Sequence, residues 1–365
     1  MPPADADPSE AGRYAAVQLF VDRASSVRSD VGLDEGSVAD IVEIVRRLDG
    51  LPLAIDLAAA RTRILPVAEV RTAMPRHRTL RAVVEWSWEL LSPAERSLAE
   101  RLAVLPAGAT TRSAAAVCSG SGIGRGSDGG LDGNPDHRTD LAADDVPERL
   151  DALVDKSLLS VLAEPREDGV RYPMLETIRE FGIERLAERG DVAEARRRHA
   201  IWFAELVIEL TPMLRGAAQL DAVACLEAVR DNVLGALRYL VDSGDGRGAL
   251  ALAVELSWHW SLLGNHAEAT LWLEAALATP GEVDPVDRTL ARTTLPLNRV
   301  MGVEGIGHLS MIAAMREATQ EVERLAGNEG LPPYMHMLRA GMAMFSGDDE
   351  LAEKVVVDGL ADPDP

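Results

Sequence analysis

From Asp191 onward the chain alternates helix-period apolar patterns with turn signals, and this alternation restricts the fold more than any other feature. The breaks stand at Ser243-Gly244-Asp245, Gly264-Asn265, Pro280-Gly281, Gly330-Leu331-Pro332 and Ser346-Gly347-Asp348. Glycine and proline end helices, and short connections leave consecutive helices antiparallel, so segments of about 15–20 residues between such breaks predict stacked helical pairs. The expected architecture for residues 191–365 is an α-solenoid.

Upstream, Val38, Ile41, Val42, Val45 and Leu48 fall on one helix face, and Ser37 with Asp40 reads as a capping box. Gly50 suits the stop of that helix and Pro52 the first turn of the next, which runs toward Arg63 until Pro66 closes it. A sharp turn at Gly50-Leu51-Pro52-Leu53 follows. A further unit begins at Thr79, with Leu80, Val83, Val84, Ser87, Trp88 and Leu91 on one face. Ser92-Pro93-Ala94-Glu95 then starts another helix with a capping box, whose core face is Leu98, Leu102 and Leu105. A short helix from Thr111 to Cys118 precedes a Gly/Asp-rich loop, residues 119–146. Beyond it come a helix to Lys156, a strand-like run at Leu158 to Leu162, a second strand at Val170 to Met174, and a helix from Leu175 to Arg189. Three helices followed by two strands is the order of a winged helix, with Pro173 expected on an edge strand where a missing N–H is tolerated.

Composition narrows the function. Alanine and leucine are frequent and aromatics make up only 4%, which favours helices. The net charge is −22, and this disfavours nucleic acid as a direct partner, because phosphate binding is driven by Lys and Arg. Residues 219–365 hold 10 basic and 23 acidic side chains, whereas 76–118 hold 6 basic and 4 acidic. No apolar run approaches the roughly 18 residues of a membrane span, and the acidic amino terminus is no signal peptide. A cytoplasmic protein with two free thiols, Cys118 and Cys225, is expected.

The run Leu48-Asp49-Gly50-Leu51-Pro52-Leu53 resembles the sensor motif of NB-ARC modules. The segments Thr79 to Ser92, Leu153 to Leu159 and Leu175-Glu176-Thr177-Ile178-Arg179-Glu180-Phe181 resemble STAND-type signalling ATPases, specifically actinobacterial transcriptional regulators of the streptomycete antibiotic-regulator type. Gly264 to Leu277 resembles a tetratricopeptide hairpin. The resemblance implies three parts: residues 13–74 as the helical remnant of a nucleotide-binding domain, 76–190 as a winged helix, and 191–365 as tetratricopeptide-like repeats. It also implies that Gly50 and Pro52 stand near an adenine, and that Met174, Leu175 and Glu176 occupy a diphosphate-sensing motif. Leu175 replaces the histidine of that motif and offers no ring nitrogen.

A phosphate-binding loop, Gly-x-x-x-x-Gly-Lys-Ser/Thr, uses backbone N–H groups, a lysine and a hydroxyl to hold phosphate and Mg²⁺. The chain has two lysines: Lys156 follows Asp155, and Lys354 precedes Val355. Neither fits the loop, so these residues are expected to bind no ATP or ADP unless another chain supplies one. Other motifs read as structure. Gly124-Arg125-Gly126-Ser127-Asp128-Gly129 lacks the flanking strand and helix of a dinucleotide fingerprint. Asp132-Gly133-Asn134-Pro135-Asp136 lacks the glycine and glutamate of a calcium loop. The histidines show no metal-ligand spacing, no catalytic set declares itself, and the tryptophans fall on helical faces, Trp258 and Trp260 on different ones. The expected role is the regulatory and sensor portion of a switch protein, acting through protein partners or ligand sensing rather than catalysis. A DNA-binding winged helix and an ATPase completed by another chain are the alternatives. A broad apolar face at 350–361 points to a partner or to self-association.

Overall fold

The computed structural model describes residues 1–74, 80–119, 142–163 and 169–302, with isolated positions at 313, 316, 343, 350, 353, 354 and 357. The loop at 124–136, His77 and most of the apolar 350–361 face lie outside the described residues. Among the described residues the chain is mainly α-helical with one small sheet, and it divides into two compact units, Met1–Trp202 and Phe203–Pro365.

The first unit begins with α1 (Pro8–Ala11), α2 (Ala15–Val27), α3 (Val38–Arg47), α4 (Pro52–Ala60) and α5 (Val67–Ala73). α2 packs on α3 and α4, and α3 packs on α5. Phe20, Ile41, Ile44, Ile55 and Leu57 are fully enclosed there, so each helix is held by its apolar stripe. Ser37 precedes α3 without capping it. Asp34 Oδ1 takes the Gly36 and Ser37 N–H groups at 2.9 and 2.8 Å, while the Ser37 hydroxyl donates to the Gly32 carbonyl at 2.6 Å. The expected capping box is therefore replaced by an Asx turn three residues upstream.

Next come α6 (Leu80–Glu89), α7 (Pro93–Leu102), β1 (Ala109–Thr110), α8 (Thr111–Cys118), α9 (Val146–Asp155), β2 (Leu162–Ala163), β3 (Val170–Tyr172) and α10 (Glu176–Glu188). The Ser92–Glu95 capping box forms in both directions, at 3.3 and 2.7 Å. α7 contacts α8, α9 and α10, and Leu98 and Leu102 on it, with Leu105 just beyond, are buried. Trp88 meets Phe181 edge-on, with ring centroids 5.1 Å apart.

The antiparallel sheet has the order β1-β3-β2, with Ala109 opposite Tyr172 and Leu162 opposite Arg171. Two expectations are corrected here. Leu158 and Leu159 are buried core rather than strand, and pairing begins only at Leu162. β3 is the central strand, so Pro173 does not lie on an edge. It follows the last paired residue, where no ladder bond needs its N–H, and its carbonyl accepts from Ser160 N at 2.9 Å.

The second unit contains the end of α11 (Val192–Leu210), then α12 (Gln219–Ala228), α13 (Arg230–Asp242), α14 (Gly246–Leu263), α15 (His266–Ala278) and α16 (Pro285–Met301). α14, α15 and α16 all pack on one another, and α13 packs on α14. The turns fall where expected: Asp245 caps α14 by accepting from Gly248 N at 2.9 Å, and α15 opens directly after Gly264-Asn265. Trp260 and Trp272 fill core. Trp258 is half-buried, with the Arg215 guanidinium 5.9 Å from its ring centre.

Candidate functional site

The motif residues sit at two helix starts in the first unit. Asp49 and Gly50 both have positive φ, 51° and 70°, and Gly50 N bonds to the Val45 carbonyl at 3.1 Å, which closes α3. Pro52 opens α4 at its first turn, where its missing N–H costs nothing, and it is exposed together with Leu51. Met174 is buried. Leu175 is the extended residue preceding α10 and is 49% exposed. The Glu176 carboxylate is bound by Arg179, at 2.8 Å to Nε, and this hydrogen bond holds its pKa below the usual carboxylate range. An acidic first turn offsets the positive end of α10. These five residues therefore present no cation and no imidazole to a diphosphate.

A second cluster, at the far end of α4, went unrecognised as a unit in the sequence. α4 packs on α6, and a 3₁₀ turn, Arg61–Arg63, ends it. The Arg61 guanidinium lies over the Trp86 ring at 3.3 Å from its centre, and its Nη2 donates to the Trp86 carbonyl. Arg61 is only 5% exposed. Burial pulls its pKa down to about 10, with Glu89 opposing that through space, so it keeps its charge at neutral pH. Arg63 pairs with Asp155 on α9.

Lys156 pairs with Glu95 at 2.5 Å. Burial pushes the Glu95 carboxyl up, but Lys156 and the Ser92 N–H outweigh it and hold the pKa below normal. Lys156 is thus a structural ion-pair partner rather than a phosphate-loop residue. Arg61 stands at the end of the Gly-Leu-Pro-Leu helix, and Trp86, Ser87 and Lys156 lie in segments that carry the resemblance, but no spacing in the sequence joins them into one site.

The fold and this site define a mainly helical chain, with a three-stranded antiparallel sheet among the helices of the first unit and consecutive packed helices in the second. No family profile matches the chain. It resembles actinobacterial HTH-type transcriptional regulators. It is 34% identical over 278 residues to proteins of Mycobacterium tuberculosis and Mycobacterium bovis provisionally named HTH-type transcriptional regulators, a match that covers 72% of this chain and 29% of theirs. An uncharacterized M. tuberculosis protein is 35% identical over 199 residues, covering 50% of this chain and 46% of its own. The chain thus spans under a third of the length of the named regulators. A solved STAND protein with a tetratricopeptide repeat sensor, from Pyrococcus horikoshii, overlaps 97% of this chain and 53% of its own at 12% identity, with a TM-score of 0.36. That likeness is too loose to build on. Among the described residues no helix is long and apolar enough to cross a membrane, and no group of three or more His, Cys, Asp or Glu could hold a metal ion.

Proposed function

We propose that this chain is the regulatory portion of a STAND-type transcriptional regulator, working in the cytoplasm without catalysis. In this reading α6 to α10 with the sheet form a winged helix acting as a switch arm, and the helix pairs from α11 onward form a tetratricopeptide-like sensor for a protein partner. The helices before α6 are the remnant of an NB-ARC module. The observation that carries the reading is the similarity to the mycobacterial regulators over 72% of the chain. The lack of a phosphate-binding loop in these residues favours the sensing over the hydrolysing role for this portion.

The experiment is calorimetric titration of the whole chain with Mg·ATP and with ADP. Phosphate contacts supply most nucleotide affinity, so no binding is expected below about 1 mM. A micromolar Kd would overturn the reading.

The relatives' HTH-type names favour a second reading, direct DNA binding. The recognition helix of a winged helix is the one before the wing strands, here α9. It carries Glu148, Asp151 and Asp155 against Arg149 alone, and Arg149 pairs with Asp145 at 3.1 Å. Such a helix repels a phosphate backbone. Salt-dependent, submicromolar duplex binding in a mobility-shift assay would reverse the order of the two readings.

A further inference from the structure

A cavity of about 220 Å³ opens between α4, α6 and α9. Arg61, Arg63, Ser87, Asp155 and Lys156 supply its polar lining, and Leu57, Ile64, Leu90 and Ala152 are among its apolar walls. The charges in it are unequal in their partners. Arg63 is held by Asp155 and Lys156 by Glu95. Among the described residues Arg61 has no carboxylate in ion-pair contact, although it is one of the most buried charges in the chain.

Two polar atoms of the cavity's lining residues also lack partners. Arg61 Nε and Ser87 Oγ are both buried with no hydrogen bond, on residues 5% and 4% exposed. Arg61 Nη2 is satisfied by the Trp86 carbonyl, but a buried Nε–H and a buried hydroxyl left without acceptors are costly unless something satisfies them. A planar guanidinium edge matches a carboxylate, and stacking on Trp86 fixes that edge in place. We propose that this cavity is a binding site for a small organic carboxylate, its anionic group on Arg61 and Ser87 and its apolar body against Ile64, Leu90 and Ala152.

One uncompensated charge calls for a monoanion; a phosphate dianion would need a second free cation, and Arg63 and Lys156 are both engaged. At the roughly 0.5–0.6 packing density of an organic liquid, the space suits about eight to ten non-hydrogen atoms. The site stands at the opposite end of α4 from Pro52 and does not depend on the regulatory reading. An anion wedged there would link α4 to α6 and α9, so it would act as an effector rather than a substrate.

Benzoate is the probe, titrated into the whole chain by calorimetry beside benzamide and inorganic phosphate. The expected result is benzoate binding in the submillimolar to millimolar range, at least about tenfold tighter than either comparator. Arg61→Gln should abolish it. Because that variant removes a structural stack, Ala152→Leu serves as the second: it fills the half-exposed apolar wall, leaves every charge in place, and should weaken benzoate at least about tenfold. Equal binding of benzamide, unchanged affinity in Ala152→Leu, tighter binding of phosphate, or no benzoate binding up to about 10 mM would each overturn the proposal.

Discussion

Gly108 stands in the turn just before β1 with φ +80°. A Cβ added there would lie 2.7 Å from Pro173 Cα and 2.8 Å from both Pro173 N and the Tyr172 carbonyl oxygen. All three are backbone atoms of the segment that β1 pairs with, so no side chain can rotate out of the way. Gly108→Ala therefore carries two penalties. Left-handed backbone costs a residue with a Cβ about 1–2 kcal/mol, and the overpacking adds about 1–3 kcal/mol. The first can be measured alone. Gly190, just after α10, has nearly the same φ, +78°, with nothing within 4 Å of an added Cβ.

Gly190→Ala should thus cost only the backbone part, and the denatured-state gain from losing a glycine cancels between the two variants. Gly108→Ala should be the less stable by about 1–3 kcal/mol. Urea unfolding followed by tryptophan fluorescence gives both values. Amide exchange at Arg171 and Tyr172 should speed up in Gly108→Ala alone, since these residues pair with β1. Equal destabilisation of the two variants, with unchanged exchange on β3, would refute the argument that the Pro173 collision decides the cost.

Three other outcomes are expected. Glu95→Gln should lose about 1–2 kcal/mol in thermal unfolding, because a half-buried charged pair and the capping box weaken together; a cycle with Lys156→Met should show coupling, and strict additivity would deny the pair. The Glu194 carboxyl is held at about 2, first by hydrogen bonding to Arg197 against an ordinary 4.5. Its stabilisation is present above pH 4.5 and disappears as pH falls toward 2, and Glu194→Gln should flatten that part of the pH–stability curve slightly, since the side chain is 47% exposed. Burial pushes the Cys118 thiol up to about 12, so a thiol reagent at neutral pH should label the half-buried Cys225 first and Cys118 only on unfolding. Fast labelling of Cys118 in the native protein would contradict its enclosure.

Legibility in the sequence followed the range of the interaction that fixes each element. The Ser92–Glu95 cap, the turn through Gly50 and Pro52, and the start of α15 after Asn265 are set within a few residues, and all were readable. Ser37 misled because its hydroxyl turns back to Asp34 N and the Gly32 carbonyl, while Asp34 takes the Ser37 N–H that the box would have offered to Asp40. Leu158 and Leu159 carried strand character, but tertiary burial in the helical core outweighed it. β1, only two residues long, offers no alternation to detect and is defined by its partner across the sheet. The Arg61 cavity was invisible for the same reason: Arg61, Ser87 and Lys156 become neighbours only when α4, α6 and α9 pack.

α8 and α9 touch each other, and both lean on α7, so the two helices on either side of residues 120–141 are held by packing on one another and on a third helix. Closing a chain segment between fixed ends grows only logarithmically with its length, about 0.6 kcal/mol per doubling. By that argument alone, lengthening the chain between residues 120 and 141 should cost little stability, which makes this interval the first place to try splicing in a reporter or an affinity tag.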